Sequence, residues 1–387
     1  MPEQRTAAPA ASAGELLTAY RPGDAFFSTG SHALHGTGTL TTLDRAEDLT
    51  SVLAEAGEGA VAVGAIPFDV ARPAHLVVPE TVRWSPPAAN TAPAERRWSP
   101  LSGEWRITPV PEPEAHVAAV ERAVKLMAED ADLGKVVLAR TLRVHGDREV
   151  DVATVLANLL WRDPSAFVFA TDLPARGPGS RALIGASPEL LVSKRGRRVL
   201  SNPLAGSAPR SADPTKDQKR AVDLLTSTKD RNEHAVVVEA VAEGLRPYCR
   251  RLVVPDEPEL IKTATMWHLS TRVTGEAIDP DLPAHVPAMA LHPTPAVCGT
   301  PRGRAFDTIV DLEPFDRGFY TGAVGHTDVS GDGEWVVTIR CADVEGDTLD
   351  LYAGGGVMPE SDPDAELAET SAKLRTLLLA LGVDGAA

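Results

Sequence analysis

Cysteine is scarce: the 387 residues contain only Cys249, Cys298 and Cys341, far apart and odd in number. They exclude a disulfide framework and a CxxC metal site, and they fit a reducing, cytoplasmic setting. Long apolar runs are missing too, since no stretch approaches the ~18 residues that span a bilayer. The N-terminus MPEQRTAAPAASAGELL has no charged n-region followed by an apolar h-region, so neither export nor membrane insertion is expected. Positive charge is in deficit, with 38 Lys and Arg against 54 Asp and Glu and a net charge of −16. With no run of five basic residues, nucleic acid and anionic membranes are excluded as partners. A small anionic substrate is not excluded, because local basic groups, backbone N–H groups or a metal ion can reverse the field in one pocket.

What is there suffices for a large core, since 43% of the residues are apolar. Residues 1–14 are rich in Ala, Pro and Ser and are expected to lie disordered outside the fold. The run AVAVGAIPFDV from Ala60 to Val70 reads as a buried strand and turn, and PPAANTAPAERR, residues 86–97, as an exposed loop. The tetrapeptide RWSP occurs at 83–86 and again at 97–100, too short a repeat to imply a solenoid. Beyond Pro113, helix and strand alternate: an amphipathic helix with Val117, Val120, Val124 and Met127 on one face, a strand at 135–144 and a helix at 152–160. Strands follow at 167–171, 182–184 and 190–194, then a long helix at 214–245, strands at 251–254 and 264–274, and a last helix at 363–381. With no linker in the C-terminal two-thirds, residues 15–387 are expected to form one large α/β domain.

Several side chains stand in patterns that can carry chemistry. Glu366, Glu369 and Lys373 share one face of the last helix at i, i+3 and i+7. Asp230 and Glu233 form a second i, i+3 acidic pair in KDRNEH. Such pairs are commonest on solvated helix faces, but two helices each presenting two carboxylates also suit a hard divalent cation such as Mg²⁺. The cluster Tyr352-Ala353-Gly354-Gly355-Gly356-Val357 follows a strand and is not GxGxxG; its N–H groups suit a carboxylate better than a pyrophosphate. Arg340, at the end of the strand-like WVVTIRC, is either an edge-strand charge or a bidentate carboxylate ligand. Lys135 opens a strand and Glu189 follows Pro188 in GASPELL. As base and acid they would need a lowered and a raised pKa respectively, and both shifts need burial. His268, in MWHLST, is a core histidine or a pocket wall.

In order and spacing, nine blocks resemble the chorismate-utilising enzymes: GKVVLAR, IGASPELL, PLAGSAPR, KDRNEH, MWHLST, LHPTPAVCGTPR, IRCA, YAGGGV and SDPDAELAETSAKL. The resemblance covers about residues 115–381. It implies a single α/β domain with a β-sandwich core wrapped by helices, a chorismate pocket and one Mg²⁺. Carried over by position, Glu233 and Glu369 would be direct metal ligands, with Asp230 and Glu366 completing the shell largely through water. Asp230 stands where the family most often has Glu. Arg340, Lys373 and the backbone of Gly354, Gly355 and Gly356 would hold the enolpyruvyl carboxylate, with His268 along the ring and Tyr352 nearby. Lys135 implies water rather than ammonia as nucleophile, hence no glutaminase subunit: Lys135 would deprotonate water attacking C2 while Glu189 protonates the departing C4 hydroxyl. Ser207, in PLAGS, and Ala296-Val297 are similar to the isochorismate synthases of catechol siderophore pathways. The expected activity is therefore isomerisation of chorismate to isochorismate, with salicylate synthase as the alternative.

Overall fold

The computed structural model describes residues 3–87, 98–177 and 179–383. Continuous β-branched and Leu-rich runs such as KVVLARTLRV and RALIGAS form strands buried on both faces. They assemble into an eleven-stranded and a nine-stranded sheet, with a small three-stranded sheet alongside. The eleven-stranded sheet carries Lys135–Gly146 against Thr348–Val357, and then Cys341–Glu345 and Arg181–Ser187. The nine-stranded sheet carries Leu190–Arg195 against Gly333–Val337. Between the sheets pack Phe27, Phe169, Leu183, Tyr320, Val336 and Tyr352. Helices cover the outer faces: Val152–Arg162 and Pro363–Leu381 on the first sheet, Thr228–Leu245 and His285–Leu291 on the second. This is the expected β-sandwich wrapped by helices in one α/β domain.

Four local expectations change. Residues 3–14 belong to the fold: Arg5–Thr6 pairs in parallel with Thr81–Val82. Gln4 Nε2 donates to the carbonyls of Val61 and Pro79, and Ala10 and Ala13 are buried. Small side chains let this segment lie flat on the sheet edge. The helix expected over 214–245 is two, Pro214–Thr226 and Thr228–Leu245. Ser227 ends the first and caps the second, accepting from Asp230 N at 3.2 Å. The stretch 264–274 likewise divides into strands Met266–Ser270 and Val273–Ala277. WVVTIRC is not one strand either: it breaks after Val337, and Arg340 sits at φ 50° between two strands.

Part of the expected 86–97 loop, residues 88–97, lies outside the described residues. The two RWSP copies have different settings: Arg83–Ser85 lies in strand Thr81–Ser85, whereas Trp98 packs near Gly382 at the end of the last helix.

Candidate active site

Lys135 is the first residue of the strand Lys135–Gly146 and is completely buried. Antiparallel pairing sets Val137 opposite Gly356, so the Lys135 side chain runs beside a residue without one. A Cβ on Gly356 would overlap Glu233 Oε1 and stand 2.9 Å from Lys135 Cε. Glycine is needed there for close approach. Lys135 Nζ ion-pairs with Glu233 Oε1 at 2.9 Å, off the direction of a hydrogen bond.

Glu189 follows strand Arg181–Ser187 and is also buried. Burial pushes its carboxyl up to about 7, against the opposing Leu204 N–H and the positive charges of Lys135, Lys373 and Arg340. Glu189 therefore has the raised pKa that an acid role demands, whereas Lys135 is buried against the Glu233 carboxylate.

Glu189 lines a cleft whose walls also include Ser207, Glu233, His268, Arg340, Glu369 and Lys373; Lys135 is not in the lining but lies behind it, on Glu233. Ala296, Val297, Tyr352, Gly354 and Gly356 line the cleft too. Arg340 is buried, and among the described residues no carboxylate lies within 4 Å of its guanidinium; burial lowers its pKa to about 10. An unpaired buried guanidinium is costly unless an anion completes it, which suits a substrate carboxylate. His268 is buried with Nε2 unpartnered, and burial next to Arg340 and Lys373 keeps its ring neutral. Tyr352 stacks on Tyr320, ring centroids 4.9 Å apart.

The glycine cluster lies inside the strand Thr348–Val357 rather than after one. Ala139 N donates to Glu313 and Val137 N to the Cys298 carbonyl, so their partners Gly354 and Gly356 turn their backbone groups to the opposite edge. That edge loses its other strand beyond Leu351 and faces the last helix, from which Lys373 Nζ donates to the Gly354 carbonyl at 2.8 Å. Gly355 differs from the expectation. Strand alternation aims it away from the cleft, where a Cβ would stand 2.8 Å from Glu366 Oε2.

The four acidic candidates converge from the two expected helices. Ser207 Oγ donates to Glu369 Oε1 at 2.9 Å, and Lys373 Nζ lies 2.6 Å from the same oxygen. Burial alone would raise Glu369, but Lys373, Ser207 and Lys229 together outweigh it and hold the carboxyl below the usual range. Glu366 is raised by burial and by Glu369, and Asp230 by burial and by Glu233. Glu366 Oε2 is buried with no hydrogen-bond partner. Among the described residues no three His, Cys, Asp or Glu side chains are already gathered as metal ligands; Glu233, Glu366 and Glu369 are each ion-paired to a lysine. Converging carboxylates with an orphaned oxygen nonetheless have the donor chemistry of a hard cation site, and they fit Mg²⁺.

Some cleft residues have no motif to announce them. Tyr320 and Thr321 line the wall, Thr321 at φ 58°. Behind them Arg317 pairs with Glu313 at 2.6 Å and donates to the carbonyls of Val137 and Val297. The i, i+4 spacing of Glu313 and Arg317 is the one signal the sequence offers.

A family model described as "Chorismate binding enzyme" matches residues 89–382, somewhat more than the 115–381 expected. Isochorismate synthase DhbC of Bacillus subtilis (strain 168) is 48% identical over 388 residues, spanning 96% of this chain and 97% of that protein. Isochorismate synthase EntC of Escherichia coli (strain K12) is 40% identical over 326 residues, spanning 84% and 81%. Among solved structures, a putative 2,3-dihydroxybenzoate-specific isochorismate synthase, DhbC from Bacillus anthracis, superposes with a TM-score of 0.90 at 45% identity, covering 96% of this chain and 100% of that one.

Proposed function

The chain belongs to the chorismate-binding enzymes and is an isochorismate synthase, and from that premise we propose that Lys135 and Glu189 are its acid–base pair. The carrying observation is buried Glu189 in the wall of a cleft that also holds Arg340 with no carboxylate partner, with buried Lys135 just behind the wall on Glu233. Lys135, acting in its neutral form, takes a proton from water as the oxygen bonds to C2 of chorismate. The two ring double bonds shift, the C4–oxygen bond breaks, and Glu189 gives its proton to the departing hydroxyl, which leaves as water. A carboxyl raised to about 7 keeps that proton up to neutral pH. The product is isochorismate. Salicylate would need a further loss of pyruvate, and the relatives named above are isochorismate synthases.

Arg340 is suited to a bidentate grip on one substrate carboxylate, with His268 and the Tyr352–Tyr320 stack bounding the ring. Ser207 fixes Glu369, and Lys373 holds the free edge at Gly354. Glu233 and Glu369 would ligate Mg²⁺ directly and Asp230 and Glu366 through water. Bound there, the ion would neutralise and orient the other carboxylate of the dianion. The reaction needs no organic cofactor and, with water as nucleophile, no glutaminase. Three buried free thiols fit a reducing cytoplasm as its place; among the described residues no helix is long and apolar enough to cross a membrane.

The test follows the products of chorismate and Mg²⁺ by chromatography in wild type, Lys135→Arg and Glu189→Gln. Arginine keeps the charge but cannot serve as a base near neutral pH, so kcat should fall by roughly 10² or more while KM changes little. Glu189→Gln should likewise lose kcat and keep KM. Near-normal kcat in Lys135→Arg would place the base elsewhere, and salicylate as the main wild-type product would refute the assignment.

A further inference from the structure

Lys229 has no part in the chemistry above, yet it reaches into the carboxylate cluster. It is the second residue of the helix Thr228–Leu245, one residue before Asp230. Its Nζ crosses to the last helix and donates to Glu366 Oε1 at 3.2 Å. Ser361 Oγ donates to the same oxygen at 2.7 Å, which leaves Glu366 Oε2 as the buried orphan. An ammonium in the first turn of a helix is opposed by the positive end of the helix dipole. Helix formation therefore does not favour Lys229 there; Glu366 does, and the charges of Glu233 and Glu369 act on it as well. Three lysines reach the cluster, Lys135 on Glu233, Lys373 on Glu369 and Lys229 on Glu366. Lys135 and Lys373 have substrate-side roles in the proposed reaction, whereas Lys229 has only its carboxylate. Its side chain is about one-third exposed, so it can swing into solvent without crossing the core.

We propose that Lys229 is the resident counter-ion of the metal-free cluster, which Mg²⁺ must displace from Glu366 in order to bind. Breaking that ion pair subtracts from the affinity for the incoming ion, so Lys229 sets how much Mg²⁺ the enzyme requires. The proposal rests on the reading that these carboxylates hold Mg²⁺, and its test separates the two.

The experiment is calorimetric titration of Mg²⁺ into metal-free, full-length protein at fixed ionic strength. It compares wild type with Lys229→Met, Lys229→Arg and Lys219→Met. Lys219 is exposed on the preceding helix and controls for the loss of a remote charge. Lys229→Met should bind Mg²⁺ more tightly by roughly tenfold, because one competing charge at contact distance is gone. Lys229→Arg should bind no more tightly than wild type, and Lys219→Met should match it. Unchanged or weaker binding in Lys229→Met, while wild type binds Mg²⁺, overturns the proposal. Equal tightening in Lys219→Met overturns it too, since the effect would then be long-range. If neither wild type nor Lys229→Met binds Mg²⁺, the metal reading itself fails and this proposal with it.

Discussion

Glu189, proposed above as the acid, also bears on stability. Its carboxyl moves from an ordinary value of 4.5 to about 7 on folding because burial penalises the charge. Below about pH 4.5 both the folded and unfolded chains carry the proton, and the group costs nothing. Between about 4.5 and 7 the unfolded chain ionises while the folded one does not, so folding loses stability as pH rises. Above 7 the loss levels off at about 3 kcal/mol. Glu189→Gln removes the ionisation and should be stabilising at pH 8 relative to wild type, with little or no gain at pH 4.5. Thermal unfolding of both proteins at the two pH values checks this; an equal difference at both would mean that Glu189 is not held protonated. The residues proposed as the acid–base pair were readable in the sequence, as Lys135 and Glu189 lie in family-like blocks. The Glu313–Arg317 pair and the Tyr320 wall were not, because their partners Val137, Val297 and Tyr352 come from distant parts of the chain.

At the scale of elements, the last helix was legible to its ends, Pro363–Leu381, because Asp362 caps it, Pro363 opens it and Gly382 closes it in the left-handed conformation. The two-helix break at Ser227 was not read, although its signal is present: Ser227 followed three residues later by Asp230 is a capping pattern. Apolar periodicity running on either side hid it. The break has a use, since it starts a new helix at the site and puts Asp230 and Glu233 in its first two turns. Ser227→Ala should cost about 1 kcal/mol of stability, read as a lower urea midpoint, with Ser227→Asp recovering most of it. An unchanged midpoint in the alanine variant would show that the helix start is fixed by packing rather than by its cap. Glycine alternation sets the other limit on reading elements. As a sequence YAGGGV reads as a cradle after a strand, but as a strand interior it gives Gly354 and Gly356 to the cleft and Gly355 to the helix behind.

At the scale of the whole molecule, the site joins strand and helix residues from Lys135 to Lys373, and no periodicity in the sequence brings them together. The nine blocks foretold this assembly only through the family they resemble. The structure adds the physical reason it holds: separate apolar clusters, one between the sheets and one on each outer face, secure the layers without help from the charged cluster. Metal removal should therefore silence the enzyme without unfolding it. After EDTA treatment and desalting, conversion of chorismate should fall to background, since the substrate carboxylate that the ion would neutralise and orient is then left without its cation. The far-UV circular dichroism should stay unchanged, and added Mg²⁺ should restore turnover. An ion that binds only the folded chain stabilises it, so the unfolding temperature should also rise with Mg²⁺ concentration, the added stability growing with the logarithm of one plus the ratio of Mg²⁺ concentration to Kd. Full turnover in metal-free buffer would remove Mg²⁺ from the reaction. Loss of circular dichroism on chelation would instead make the ion a structural support, contrary to cores that close without it.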